Sequence, residues 1–408
     1  MIVLGVLLGC YAAVALAYWV WTGYAMWRLG SGVPYLSRFE PPRRESWPKL
    51  SVVVPACDEG DKIGPAVASL LAEGYDNLQV VLVDDRSTDE TGEVIDEIAA
   101  GDDRVKAVHV AELPDGWLGK VHALHRGVAE CDGELVLLTD ADVHYRPGAL
   151  RRAVGYFLAH ELDHLAAFPK LWRTGLRLDA GIAAFIRQLM VMARPWALGD
   201  AGSGAYMGVG AFNLVRRSAL EAAGGLAWLR LEVADDLGLA LLMKRSGAKC
   251  AMVNAFEQLA LHWYRSPDEA ARGADRAYAM PCECSLRRGV QIALSVLAVE
   301  LAPIALPLLL AFRPLRVVGL MGVAIVGAFV ASAALFHRWS GLRMTAALAG
   351  PFVAPGGALM LLRSALAGHR RGGILWRGTF YPNQMLRGGR RVRLPNWRGA
   401  SQWRGQDE

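Results

Sequence analysis

The sequence has no disulfide framework. Its six cysteines, Cys10, Cys57, Cys131, Cys250, Cys282 and Cys284, are scattered, which excludes a small scaffold stapled by bridges. Cys282 and Cys284 have no second pair to complete a zinc site. No internal repeat or low-complexity tract stands out, so a solenoid or a largely disordered chain is excluded. Charge is sparse as well: charged residues make up 20% of the 408 positions and hydrophobic residues 53%, with net charge +5. The mean hydropathy of +0.25 is high for a soluble enzyme.

The apolar excess is concentrated in residues 2–27, 290–312, 317–336 and 344–362. Each is about 20 residues long, enough to cross a bilayer as a helix. The first lacks a basic leader and its apolar core is too long for a cleaved signal, so it reads as a retained anchor. Arg28, Arg38, Arg43, Arg44 and Lys49 follow it. The positive-inside rule then predicts a multi-pass protein of the inner membrane whose next domain is cytoplasmic.

Three full crossings after that domain would put the basic tail outside, against the same rule. Residues 290–312 carry Glu300, Pro303 and Pro307, and residues 344–362 carry Gly350, Pro351 and Pro355. One of these two segments is therefore expected to be re-entrant or to lie along the surface. The tail holds Arg370, Arg371, Arg377, Arg387, Arg390, Arg391 and Arg393, interleaved with Trp376, Phe380, Tyr381, Trp397 and Trp403. Directly after a membrane segment, this pattern suits an anionic lipid surface rather than nucleic acid. The expected plan is an anchor over 1–27, a linker over 28–48, a cytoplasmic domain over 49–288, membrane helices over 289–367 and a basic tail over 368–408.

Within 49–288 strands alternate with helices. Strand patterns cover 50–55, 79–83, 105–110 and the run from Leu135 that ends in Asp140 and Asp142, and helical spacing covers 62–73, 120–130 and a stretch capped by Ser87-Thr88-Asp89. This alternation predicts an α/β domain with a mainly parallel, Rossmann-like sheet. Further on, Pro147 opens a helix to about His160. Residues 165–170 and 249–256 read as strands, and 235–246 as a helix. Residues 179–198, with Arg187 and Arg194, suit either a membrane-interface helix or a buried one.

Three strands end in acids: Asp58 and Glu59 after Pro55, then Asp84 and Asp85, then Asp140 and Asp142. Ligands of parallel sheets sit beyond the carboxyl ends of the strands. Like charges held close are costly, and a divalent cation such as Mg²⁺ or Mn²⁺, which takes hard oxygen ligands and binds phosphates, would relieve them.

The segments VVVPACDEGDKI, VLVDDRSTDET, GWLGKVHALHRG and LVLLTDADV, in this order, resemble family 2 glycosyltransferases with the A-type nucleotide-sugar fold. The similarity covers about residues 50–260. It implies that Pro55, Asp58, Glu59, Asp84, Asp85, Lys120 and Asp140 bind the nucleotide-sugar. It implies that Asp140 and Asp142 hold a metal that bridges the diphosphate. Asp235-Asp236 resembles the pair that supplies the catalytic base, with Asp236 favoured by register. The glycine-rich segment with Gly208 and Gly210, together with Trp263 and Arg265, falls on the acceptor side. His125 stands where many relatives carry Asn, and a Q-x-x-R-W motif is absent, which argues for single-sugar transfer. The anchor, domain and bundle layout is similar to that of ceramide-, carotenoid- and hopanoid-type lipid glycosyltransferases, so a membrane lipid acceptor is expected, reached past residues 179–198 and 202–210. A polyprenyl-phosphate sugar synthase and a non-catalytic membrane scaffold are the alternatives.

His160-Glu161-Leu162-Asp163-His164 matches H-E-x-x-H, the zinc-protease helix pattern. With a charged residue inside the pattern and no third ligand in evidence, it is expected to be a surface segment.

Overall fold

The computed structural model describes residues 2–393. They form two compact units. Among these, one comprises residues 33–172, 195–263 and 384–393; the other comprises 2–32, 173–194 and 264–383.

The first unit is built on a seven-stranded sheet. Its strands are β1 (Leu50–Ala56), β2 (Leu78–Asp85), β3 (Val105–Val110), β4 (Leu135–Leu138), β6 (His164–Phe168), β8 (Asn213–Arg216) and β9 (Cys250–Asn254), in the order β3-β2-β1-β4-β8-β6-β9. Helices α2 (Gly60–Leu71), α3 (Thr91–Gly101), α4 (Gly119–Ala129) and α5 (Ala149–Ala159) follow the first four strands. A small sheet joins β5 (His144–Tyr145), β7 (Lys170–Leu171) and β10 (Leu259–Leu261). Helices α7 (Arg217–Ala222) and α8 (Asp235–Arg245) complete the unit.

The sheet is parallel except for β8, which runs against both β4 and β6. All seven residues of β1 are buried, as its uninterrupted apolar run requires of a strand covered on both faces. The ladder between β1 and β4 ends at Val53 opposite Leu138, so Pro55 lies beyond it and its missing N–H breaks no bond there. This strand order seats the carboxyl ends of β2, β1 and β4 side by side.

The second unit is helical: α1 (Ile2–Gly32), α6 (Leu176–Ala193), α9 (Pro267–Gly273), α10 (Leu286–Ala305), α11 (Arg316–Ser340), α12 (Met344–Leu348) and α13 (Gly350–Arg371), followed by a hairpin of β11 (Gly373–Trp376) and β12 (Thr379–Pro382). The 7-residue α14 (Asn383–Gly389) leads back to the first unit. Ala12, Ala15, Trp19, Ala302, Leu306, Val318, Ile325 and Phe329 form the bundle core. The Trp19 indole donates to the Val299 carbonyl at 2.9 Å.

Four helices, α1, α10, the run ending in α11, and α13, are long and apolar enough to cross a membrane. Large apolar side chains face outward along them, including Val3 (73% exposed), Val317 (73%) and Phe352 (74%). The 290–312 segment is α-helical only to Ala305 and then tightens into a 3₁₀ turn over Pro307–Ala311. The 344–362 segment is interrupted at Ala349, between α12 and α13, and from Gly350 it runs as one continuous helix. Pro351 sits in its first turn, where no helical bond is lost, whereas Pro355 lies inside the helix and forgoes one.

Helix α6 settles the choice left open for residues 179–198. Its Arg187 is buried and pairs with Glu300 of α10 at 2.5 Å, each side chain 1% exposed. Arg187 also lies 4.8 Å from the Trp19 ring centroid, and Gln188 donates to the same Glu300 oxygen at 3.1 Å. The compact units thus divide the chain differently from a continuous 49–288 domain, since α6 and residues 264–288 belong with the bundle.

Asp89 of Ser87-Thr88-Asp89 does satisfy the start of a helix: α3 begins at Thr91, whose N–H and hydroxyl both donate to the Asp89 carboxylate. The H-E-x-x-H stretch is a surface segment only at its start, since His160 and Glu161 are exposed while Leu162 and His164 are buried. α5 ends at Ala159, Glu161 takes a φ of 51°, and His164 begins the buried strand β6. Its two histidines do not share a helical face, which removes the geometry of the zinc motif.

Candidate active site

The first strand ends are tied to each other before they meet any ligand. Asp58, held at a φ of 55°, accepts from the Thr88 N–H at 2.7 Å and hydroxyl at 3.2 Å, while its own N–H donates to Ser87 Oγ. The Glu59 N–H donates to Thr91 Oγ1, and the Glu59 carboxylate pairs with Lys62 at 2.7 Å. The residues after β1 and β2 therefore form one cross-braced rim. Asp84 accepts from the Ser87 N–H and meets His109 Nδ1 at 3.2 Å. Asp85, 2% exposed, is held by the fork of Arg86 at 2.9 and 3.2 Å. A β-carbon at Gly119 would lie 2.5 Å from Asp85 Oδ2, so the first residue of α4 packs directly on that carboxylate.

One residue further, Lys120 turns its ammonium between two acidic motifs. Its Nζ lies 2.8 Å from Asp140 Oδ1 and 3.1 Å from Asp235 Oδ2. Burial works to lower the lysine pKa, but Asp140 and Asp235 outweigh it and hold the group raised and charged. The end of β4 and the N-terminus of α8, 95 residues apart in sequence, meet on this one cation.

Asp236 follows in the first turn of α8. Its Oδ2 accepts from the Gly210 N–H at 3.1 Å and its Oδ1 from the Leu237 N–H at 2.7 Å. Burial, then the neighbouring Asp235, pushes its carboxyl up to about 7, against the pull of Lys120. Asp142 is also pushed up to about 7, first by burial, then by Asp140 and Glu59, with Lys62 offsetting part of this.

The glycines belong to this arrangement. A β-carbon at Gly210 would lie 2.6 Å from Asp140 Oδ2, and one at Gly208 would overlap the Asp236 carbonyl. The Gly210 carbonyl also accepts from the Asp140 N–H. The loop expected on the acceptor side thus touches Asp140 and Asp236 alike. Lys120, Leu138, Asp140, Gly210, Asp235 and Asp236 line a shared pocket. Neither Trp263 nor Arg265 is among the residues that line this pocket. Trp263 belongs to the sheet unit, and Arg265, whose N–H donates to Glu269 at 2.6 Å, to the helical one. His125 stacks on Trp117 with centroids 4.9 Å apart.

The family model for Glycosyl transferase family 2 matches residues 51–223. Those residues are a family 2 glycosyltransferase domain. The chain is 28% identical over 251 residues to beta-monoglucosyldiacylglycerol synthase of Synechocystis sp., covering 56% of this chain and 50% of that protein. It is 33% identical over 132 residues to the probable glycosyltransferase YdaM of Bacillus subtilis, covering 30% and 31%. The chain thus spans half or less of the length of these curated relatives. Among solved structures, the mannosyltransferase PcManGT from Pyrobaculum calidifontis, in complex with GDP-Man and Mn²⁺, is similar with a TM-score of 0.51 and 18% identity, over 90% of this chain and 97% of that one. This likeness confirms the A-type α/β fold of the glycosyltransferase domain.

Sequence reasoning passed over Glu232 and Tyr206. Glu232 is 1% exposed and stands four residues before Asp236, while Tyr206 is fully buried two residues before Gly208. A carboxylate flanked by the apolar Leu231 and Val233 was the available signal.

Proposed function

We propose that the chain is an inverting glycosyltransferase moving one sugar from a nucleotide-sugar, with UDP-sugars as the first candidates, to a membrane lipid hydroxyl. The observation that carries this reading is the convergence of Asp140 and Asp235-Asp236 on Lys120, with Gly210 touching both acidic motifs. A leaving-group site and a base site must adjoin for a single displacement at an anomeric carbon.

The residues fit a divalent cation. The donors are hard carboxylate oxygens, and Asp142 is a carboxyl crowded by Asp140 and Glu59. Among the described residues, no group of three or more His, Cys, Asp or Glu is placed to hold a metal. The chain would thus supply Asp140 and Asp142 and leave the remaining positions to the diphosphate, as suits an ion bound largely through substrate phosphates. A bound Mg²⁺ or Mn²⁺ would stabilise charge on the departing diphosphate. Lys120 would add a fixed positive charge beside it.

Asp236 would accept the proton of the acceptor hydroxyl as its oxygen bonds to the anomeric carbon and the bond to the diphosphate breaks. Its raised pKa matches it to proton transfer near neutral pH. One attack on one face inverts the anomeric centre. The apolar helices and the diacylglycerol named for the Synechocystis relative support a membrane lipid acceptor, and the basic residues after α1 would set it at the cytoplasmic side of the inner membrane. Arg370 and Arg371 would favour an anionic lipid surface.

The test is a donor screen with purified protein, Mn²⁺ and total membrane lipid, read by mass spectrometry of the product. Asp142→Asn and Asp236→Asn should each lower turnover at least 100-fold, on the scale of lost acid–base or electrostatic assistance. An Asp236→Asn enzyme that keeps most of its turnover would point instead to a phosphate acceptor, as in a polyprenyl-phosphate sugar synthase. Absence of any Mn²⁺-dependent nucleotide-sugar binding would favour a scaffold.

A further inference from the structure

After the bundle the chain returns to the sheet unit and is fastened there. The Glu232 carboxylate accepts three backbone N–H groups: Ala234 at 3.1 Å, Arg391 at 2.6 Å and Val392 at 2.8 Å. The Tyr206 hydroxyl donates to the Arg393 carbonyl at 2.7 Å and accepts from the Arg393 N–H at 3.0 Å. The Arg391 guanidinium lies 5.0 Å from the Trp228 ring centroid, and Val392 is 2% exposed. Gly389 sits so close to Leu231 that a β-carbon there would overlap the leucine side chain.

The hydrogen-bonding anchors of this segment adjoin the candidate site. Ala234 immediately precedes Asp235 and Asp236. Tyr206 precedes Gly208 and Gly210, which abut Asp236 and Asp140. The Arg230 carbonyl, beside Leu231, accepts from the Leu118 N–H at 2.7 Å, at the residue that opens the helix bearing Lys120.

A carboxylate buried this deeply is costly unless donors satisfy it, and two of the three donors to Glu232 come from the returning tail. We infer that residues 389–393 are a working part of the catalytic unit, and that Glu232 and Tyr206 are positioning residues which use this segment to hold the Asp235-Asp236 and Lys120 loops in register. This rests on the transferase reading above. Glu232 and Tyr206 act through Asp236 and Lys120 and are given no contact with substrate.

The experiment uses the full chain in detergent, with Glu232→Gln, which keeps the shape and removes the charge, and Gly389→Val, which forces the tail away from Leu231 without touching the site. Gln384→Ala, on the exposed side of α14, is the control. Two readings are taken at a temperature where all proteins are folded: sugar transfer, and amide hydrogen exchange of peptides covering 118–122 and 232–238. Both variants should exchange at least fivefold faster in these two peptides and lose at least tenfold in kcat, while the control matches wild type. Trypsin should cut after Arg391 or Arg393 faster in both variants.

Variants that release the tail to trypsin yet keep wild-type exchange and wild-type kcat would overturn the inference. So would a wild-type tail cut as fast as that of Gly389→Val. If the wild-type chain transfers no sugar, the transferase reading fails on its own, and the exchange comparison still decides whether the tail orders the two loops.

Discussion

Gly210→Ala is the sharpest probe of the site, because its effect can be worked out from one distance. The new β-carbon would lie 2.6 Å from Asp140 Oδ2. Ordinary carbon–oxygen contacts begin at roughly 3.3 Å, so the carboxylate must give way by about 0.7 Å. It is not free to swing, because its other oxygen is held 2.8 Å from Lys120. Moving the loop instead would disturb the Gly210 N–H bond to Asp236. A misplacement of about 1 Å at a reacting centre costs on the order of 100-fold, so about 0.7 Å scales to a loss of roughly 25-fold. The expected outcome is a kcat 20- to 50-fold below wild type, on this scaling, at saturating donor. The Mn²⁺ concentration for half-maximal rate should also rise, since Asp140 is a proposed ligand. Gly199→Ala is the matched control, with nothing within 4 Å of its added carbon. Thermal midpoints of both proteins guard against a folding defect. A Gly210→Ala enzyme within threefold of wild type in kcat, with unchanged Mn²⁺ dependence, would refute the contact between this loop and the D-x-D carboxylate as a functional one.

The pH dependence of kcat/KM should report Asp236. Its carboxyl is raised to about 7, so the ionised, proton-accepting form prevails above that pH and is lost below it. At saturating Mn²⁺ the rate should rise about tenfold per pH unit up to about 7 and then level; a flat profile from pH 5 to 8 would exclude a base of this kind. In the bundle, Arg187→Met and Glu300→Gln should each destabilise by about 3–5 kcal/mol, because each leaves a buried partner uncompensated, while the double substitution should cost clearly less. Thermal unfolding in detergent measures this, and additive losses would show that the pair is not coupled.

The sheet was legible because its strands carry long apolar runs that end abruptly in Asp58, Asp84 and Asp140, where burial on both faces gives way to solvent. The long amphipathic α6 was only half legible. Periodicity finds a stripe but does not say what covers it, and the partner of Arg187 is Glu300, over a hundred residues away. The same limit hid Glu232. Its donors are backbone groups of Arg391 and Val392, and no side-chain pattern records a main-chain N–H. His160 and His164 failed as a motif for a local reason, since Glu161 adopts a left-handed conformation and ends the helix between them. Asp140, Lys120 and Asp235 could be marked singly, but their meeting depends on how β8 inserts beside β4, which is a property of the topology.

The return of the chain to Glu232 also constrains its path through a bilayer. Residues 264–383 leave the sheet unit and residues 391–393 rejoin it, so with that unit on one face of a bilayer this stretch would be a closed excursion. A closed excursion crosses a membrane an even number of times. Of α10, α11 and α13, all long enough to span, two at most would then traverse the full width, and the third would lie along one face. The carboxylate that fastens the tail would thereby also fix the sidedness of every helix between.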